Sequence, residues 1–444
     1  MGYMNRFGKR AQEIASKSAH TEIIRDASVA AFLNNCHLPK LADDVDLDEG
    51  ALANFIPVSP NPIKHIVAVD AGFTEVPVRS AFPSATICFF QFGALFFSMN
   101  DLECLEQQPF IDPDDIAKLK KIERLKLTLP VRNVTYGAQP NLTHSVRLAL
   151  YEFFMQPLDG ESLMESLRWF LYQEYLGKAA AETWNLASSP YGDGSNIALS
   201  NASLGDDYQW ATPNGPIYLT DVFRLHERID NEVGVGGIQA YIMTAIEQLI
   251  LVHLVRLILK TKPAVLKQLL FIKDGPLAFF GQTAPMHGPM RSLVKYLLEK
   301  HALYMAGLEK SGAFVEHAHE IKAKLPFGTV LPLDNDYIYR YIIPGTADSE
   351  NEYGRTTYYS SKVIFKTPVG ALHVITVPTP ERLPKPTATN LPNLQSILTN
   401  VEKLRCDMYD NALLPIALVN KLVSLSNHPS SHILQQFATG AVQD

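Results

Sequence analysis

Cysteine is scarce in this chain. Four occur in 444 residues, Cys36, Cys88, Cys104 and Cys406, and no two stand at C-x-x-C spacing. That excludes a disulfide framework and a zinc ribbon, and it fits a reducing cytoplasm. Charge is thin as well: charged residues make up 19% and the net charge is -7. A protein that grips nucleic acid over its whole surface is thereby excluded, while a local basic groove or a nucleic-acid-gripping partner is not. The N-terminus is polar and charged where a secretory signal needs an apolar core, so none is expected. The most apolar helix candidate, Ile238 to Leu259, is interrupted by Glu247, His253 and Arg256. This is the pattern of a buried core helix and not of a membrane span. A complete phosphate-binding G-x-x-x-x-G-K-[ST] is also missing. The glycines of Val233-Gly-Val-Gly-Gly237 follow no clear strand and read as a turn or hinge.

What is plentiful is apolar surface, 47% of residues, the share of a soluble globular protein. The length allows one large domain with insertions, or two to three small ones. Ile63 to Thr74, I-K-H-I-V-A-V-D-A-G-F-T, organises the rest. Ile66, Val67, Ala68 and Val69 make a short apolar run of the kind that forms a buried strand. The run ends on Asp70, with the turn-former Gly72 two residues on. A carboxylate at the end of a buried strand is costly unless it is paired or binds a cation. The pattern returns downstream, where Leu269, Leu270, Phe271 and Ile272 run into Lys273, Asp274, Gly275 and Pro276.

In chain order, residues 1–45 read as helix, with Ile14, Ile23, Ile24, Ala27, Ala31 and Phe32 at helical spacing. Asp43 to Pro62 reads as a linker, so 1–60 is expected to be an N-terminal helical segment and 61–444 the main domain. Thr86 to Phe97 forms a second strand, or two if Gly93 breaks it. Asp112 to about Val235 reads as a long, mostly helical insertion. It opens on a basic helix, Lys118, Lys120, Lys121, Arg124 and Lys126, and closes with a loop from Ser188 to Gly205. The aromatics between them, Tyr151, Phe153, Phe154, Trp169, Phe170, Tyr172 and Tyr175, read as core. After the Ile238–Leu259 helix come the Asp274 strand, a helix from Met290 to Lys300 and a strand near Leu303–Leu308. Tyr337–Ile343, Thr356–Lys366 and Ala371–Val377 read as late strands, and a last helix spans Leu414 to Leu425. Strands first, then helix–strand–helix–strand and a late helix, is an α/β plan of the ribonuclease H-like kind: a mixed sheet flanked by helices, with a large insertion.

Two buried strands that deliver carboxylates to one end of a sheet can gather divalent metal. Metal-assisted phosphodiester hydrolysis needs such acids around one or two Mg²⁺ or Mn²⁺ ions. Asp70 and Asp274 are the first two candidates. Glu247, on the helix that feeds the Asp274 strand, is the third, with Glu227 and Glu232 as rivals. A boundary glutamate paired to a nearby base is the ordinary alternative for Glu247. Lys310 follows a strand and is placed to contact a scissile phosphate or a ligating carboxylate, or to be a plain surface lysine.

The strand ending in Asp70, the L-L-F-I-K-D-G-P-L around Asp274 and the G-L-E-K-S-G around Lys310 resemble the NurA nucleases. The resemblance spans most of the chain apart from the insertion. It implies a ribonuclease H-like fold and a Mn²⁺- or Mg²⁺-dependent DNA nuclease, with Asp70, Glu247 and Asp274 as metal ligands and Lys310 beside them. It also implies a homodimer that works in the cytoplasm with a hexameric HerA-type ATPase, in DNA end processing or phage defence. One departure stands out. Where the family tends to read Y-P-x-x-L-x-x-A-H, this chain has Leu414 for the tyrosine and Leu422 for the histidine. Two other readings stay open. D-A-G-F-T at Asp70–Thr74 also resembles the first phosphate loop of actin-like ATPases and sugar kinases, although the one Gly-Gly pair, Gly236-Gly237, precedes Asp274. The missing histidine leaves room for an inactive scaffold for a motor.

Overall fold

The apolar run at Ile66–Val69 lies in a long strand, His65–Arg79, at the heart of a nine-stranded sheet. The computed structural model describes residues 17–47, 50–100, 124–158, 160–177, 180–348, 350, 352–406, 412–425 and 430–443. On one side His65–Arg79 pairs antiparallel with Ala85–Ser98, which pairs antiparallel with Leu125–Arg132. On the other side it pairs in parallel with Leu269–Asp274, which in turn runs parallel to Tyr304–Glu309. Leu372–Pro378, Ser360–Lys366, Thr329–Pro332 and the short Ala53–Asn54 complete that edge, each antiparallel to the last. The result is a mixed α/β fold with a large central sheet flanked by helices.

Side chains alternate across a strand, so the sheet has two cores. Val67, Val69, Leu269 and Phe271 face the helices Leu142–Met155, Leu163–Leu171 and Gln239–Thr261. Ile66, Ala68, Leu270 and Ile272 face Leu394–Lys403 and Leu414–Val423. The central strands are therefore apolar on both faces, which explains why they read as unbroken hydrophobic runs. Gln239–Thr261 is the one helix among the described residues long and apolar enough to cross a membrane, and two-thirds of its apolar window is buried inside this fold.

Several expectations change. Tyr337–Ile343 is not a strand: Tyr337 to Tyr341 belong to the helix Asn335–Tyr341, and Ile342 and Ile343 follow it in a turn. Asp334 caps that helix by accepting from the Tyr337 N–H at 2.8 Å, and Ile338 and Tyr341 fall on its buried side. Gly93 does not break its strand, which runs whole from Ala85 to Ser98. Lys126 lies in the strand Leu125–Arg132 and not in a basic helix; Lys118, Lys120 and Lys121 fall outside the described residues, as do Ile14 and Cys104. The Ser188–Gly205 stretch is not all loop, because Thr183–Ser188 and Ser195–Ser200 pair as a hairpin. Its turn is closed by the Ser189 N–H donating to the Gly194 carbonyl at 2.9 Å. The inserted aromatics Phe153, Phe154, Trp169, Phe170 and Tyr172 are buried in the first core.

Candidate active site

Parallel pairing between the Asp70 strand and the Asp274 strand ends at Lys273 opposite Val69. Just beyond, the Ala71 N–H donates to Asp70 Oδ1 at 2.8 Å, and the Glu247 carboxylate lies against the same N–H. Two acids from different elements thus meet where the sheet opens, and Asp274 closes the adjacent strand.

Asp70 occupies an even position, on the face covered by the helix Leu414–Val423. Its register partner across the antiparallel pair is Gly93. A Cβ on Gly93 would stand 2.6 Å from Val423 Cγ1, and one on Gly72 would stand 2.7 Å from the Val423 carbonyl oxygen. The two glycines therefore let the end of that helix press against the strand. Gln91 holds it there by donating its side-chain amide to the Leu422 carbonyl. At this distance Asn420 reaches the carboxylate, with Nδ2 2.9 Å from Asp70 Oδ2. Asp70 is 3% exposed. Burial, followed by repulsion from Asp274 and then Glu247, pushes its pKa up to about 7, against the pull of Asn420 and Lys310.

Glu247 rises from the helix Gln239–Thr261 beneath the opposite face. It is buried and forms an ion pair with Lys273, Oε2 to Nζ 2.7 Å, with both side chains at 3% exposure or less. Burial raises its pKa; Lys273 and the Ala71 N–H work against this, and Asp274 adds to it. Asp274 sits on the rim. Its Oδ2 lies 2.6 Å from Lys310 Nζ, and both side chains are partly exposed. The next residue, Gly275, has φ +83, so the chain turns at once where a side chain would be strained. It then crosses Gly307, where a Cβ would stand 2.6 Å from the Gly275 carbonyl oxygen. The glycines of D-G-P-L and G-L-E-K-S-G thus fit together as a crossing point that holds Asp274 and Lys310 side by side.

All four candidates from the sequence therefore share one electrostatic neighbourhood. Asp274, Glu247 and Lys310 are the charged groups that act on Asp70. The rivals lie elsewhere: Glu227 is paired with Arg224 at 2.7 Å, and Glu232 sits in an exposed turn. Two members of the cluster escaped the sequence reading. Lys273 interrupts an apolar strand, and a lysine in that position needs a buried acid. Asn420 is, with Lys421, one of two polar residues within the mostly buried Leu414–Val423 helix.

The donor set consists of carboxylate oxygens, the chemistry that suits Mg²⁺ or Mn²⁺. Among the described residues, however, no three acid or imidazole side chains stand close enough together to hold a metal. Glu247 and Asp274 each give an oxygen to a lysine instead. Burial, and after it repulsion from Asp274 and Glu247, raises the Asp70 pKa, and a cation would relieve both. The set therefore fits a divalent ion in chemistry, with Asp70 as the acid that no base neutralises directly.

No family model matches the chain, and no curated protein matches it. Solved structures do. Across 97% of its residues the chain aligns with structures of NurA nucleases. The NurA nuclease from Sulfolobus solfataricus matches 97% of this chain and 98% of its own at 7% identity and a TM-score of 0.35. Another NurA structure has 11% identity, 97% and 98% coverage and a TM-score of 0.31. A NurA with manganese has 11% identity, 96% coverage of each chain and a TM-score of 0.29.

Proposed function

We propose that this chain is a divalent-metal-dependent deoxyribonuclease of the NurA kind, built on a ribonuclease H-like sheet. The observation that carries the reading is the convergence of Asp70, Glu247 and Asp274 where the parallel pairing ends, on the motifs that resemble that family. Three antiparallel strands followed by two parallel ones, with the acids on the first and fourth, support the fold reading.

In this reading Asp70 and Asp274 would hold Mn²⁺ or Mg²⁺, and the Glu247 oxygen that pairs with Lys273 would complete the set. The ion, when bound, supplies a water of lowered pKa and charge stabilisation at the leaving oxygen. The remaining work belongs to the chain. Asn420 holds the Asp70 carboxylate through Oδ2 while the Ala71 N–H holds Oδ1, so both oxygens are fixed in place. Lys310 orients Asp274 from the rim and presents an ammonium to a phosphate arriving there. Lys273 pairs with Glu247 and works against the burial that raises its pKa.

The competing actin-like or sugar-kinase reading is disfavoured by one observation. Asp70–Thr74 lies inside a single unbroken strand, His65–Arg79, and not in a phosphate-cradling turn. With a net charge of -7 and no motor motif, the enzyme needs a partner to advance along DNA. The family resemblance makes that partner a HerA-type hexameric ATPase, with the nuclease as a cytoplasmic homodimer in end processing or phage defence.

The deciding experiment measures cleavage of linear DNA with Mn²⁺ for the wild type, Asp70→Ala and Asp274→Ala, with circular dichroism as a check on folding. Cleavage by the wild type alone supports the reading. A folded variant that degrades DNA at the normal rate refutes the site assignment, and an inert wild type with its motor present favours the scaffold reading.

A further inference from the structure

A second cluster of charge lies away from the acids. The helix His287–Lys300, the start of the strand Ser360–Lys366 and the segment around 352–358 line a cavity of about 50 Å³ that opens to solvent. In that measure a water takes roughly 10–15 Å³, so the cavity has room for a few waters or one tetrahedral oxyanion. Arg291, Arg355 and Arg382 line it. Lys362 lies at the wall but is already neutralised by an ion pair with the buried Glu309, beneath the rings of Phe314 and Tyr358. Among the described residues the one lining acid is Glu352, whose Oε2 stands 3.9 Å from Arg382 Nη1, too far for a hydrogen bond. Three guanidinium groups thus face one carboxylate.

Arg291 is the telling residue. Its Nη2 donates to the Tyr358 carbonyl at 2.5 Å, which fixes the fork. Its Nη1 is buried and has no hydrogen-bond partner among the described residues. A buried donor on a charged group without an acceptor is expensive, on the order of 1–3 kcal/mol or more. Burial, and after it repulsion from Arg382, lowers the Arg291 pKa, with Glu352 pulling the other way. An anion in the cavity would satisfy the free donor and the excess charge together. Arginine forks match the oxygens of a phosphate in pairs, and the hydroxyl-bearing residues Ser361 and Thr379 complete the lining.

We propose that this cavity binds a phosphate group: inorganic phosphate or the terminal monoester of a nucleotide or DNA end. The site stands independently of the nuclease reading. Its wall is nonetheless tied to the chain leaving Asp274, since Phe279 N–H donates to the Thr357 carbonyl at 3.0 Å and Tyr359 N–H to the Leu277 carbonyl at 3.4 Å.

The test is calorimetric titration of the full chain at constant ionic strength with inorganic phosphate, a nucleoside 5′-monophosphate, and a short oligonucleotide with and without a 5′-phosphate. Saturable binding by the phosphate-bearing ligands and not by the unphosphorylated oligonucleotide is expected. It should weaken at least tenfold in Arg291→Met and in Arg382→Gln. The second variant changes an exposed side chain, so it keeps the test valid if the first fails to fold. Equal binding of phosphate alone and of phosphorylated DNA assigns the site to the phosphate group itself; binding of phosphorylated DNA alone assigns it to a strand end. No saturable binding by any ligand, or unchanged binding in Arg382→Gln, overturns the proposal.

Discussion

Asn420 and Asp70 lie 350 positions apart in the chain and are joined by one hydrogen bond of 2.9 Å from the amide Nδ2 to the carboxylate Oδ2. The bond favours the ionised form of a buried acid, so its loss should raise the Asp70 pKa further. Asn420→Leu removes the donor with little change in volume. Activity should fall about tenfold, and the acid limb of the pH–rate profile should move to higher pH. A purely structural role would lower the rate without moving that limb, and that result would reject the positioning role.

The pH dependence of stability follows from the same acid. Asp70 has an ordinary pKa of 3.8 and a folded value of about 7. Between these values the folded state holds a proton that the unfolded state has lost, so stability falls as pH rises through the window. The full difference is an upper bound of about 4 kcal/mol, at about 1.4 kcal/mol for each tenfold change in acidity. In chelator, Asp70→Asn should therefore stabilise the protein at pH 8, less at pH 5.5, and negligibly below pH 4. Urea melts at the three pH values measure this. Adding Mn²⁺ at pH 8 should stabilise the wild type and not the variant. An equal gain at every pH contradicts the raised pKa.

How much of this was legible beforehand depends on what signals each residue. Asp70 and Asp274 stand out because each ends an apolar run, and Glu247 because it interrupts an apolar helix. Lys273 sits in the same run as Asp274 but carries no period of its own; its role appears only when the strand is placed over the Glu247 helix. Asn420 is invisible for a different reason: its contact depends on Gly72 and Gly93 letting a distant helix come close. Tyr337–Ile343 reads as a strand because aromatic and β-branched residues favour one, yet the Asp334 cap and the helical spacing of Ile338 and Tyr341 decide otherwise. The strand Leu125–Arg132, L-K-L-T-L-P-V-R, does alternate, but the lysines before it draw the eye to a helix.

The Glu247–Lys273 pair should behave as one unit. Each charge is buried against the other at 2.7 Å. Removing either partner alone, as in Glu247→Leu or Lys273→Met, strands an ion in the core and should cost about 3–5 kcal/mol. The double variant should recover most of that loss in a chemical melt while remaining inactive on DNA. Additive losses would mean that the two groups do not depend on each other.

Gly72 and Gly93 should differ in a predictable way. A methyl at Gly72 meets the backbone carbonyl of Val423, which cannot yield without moving the helix; one at Gly93 meets a side-chain methyl of the same residue. Gly72→Ala should cost about 1–3 kcal/mol and reduce activity by lifting Asn420 from Asp70. Gly93→Ala should be milder, and Val423→Ala should rescue it. Rescue of Gly72→Ala by the same second change would show that the helix is not held by that close approach.

The last expectation concerns the partner. The helices Lys17–Arg25 and Ala27–Asn34 leave Ile24 79% and Phe32 69% exposed, with Ile23 and Leu33 beside them. Apolar side chains gathered on one short segment are costly to leave in water and suit a protein interface. The motor proposed as partner would have to dock without covering the acids, and this segment precedes the linker into the sheet. Val45 belongs to a core cluster with Phe314 and Ile338, so a deletion should stop before it. Removal of residues 1–38 should leave the melting temperature within a few degrees of the wild type and abolish co-purification with a HerA-type ATPase. Ile24→Asp with Phe32→Asp should do the same in the full chain. If both proteins fold and still bring down the hexamer in full yield, the motor docks elsewhere, whatever the acids do to DNA.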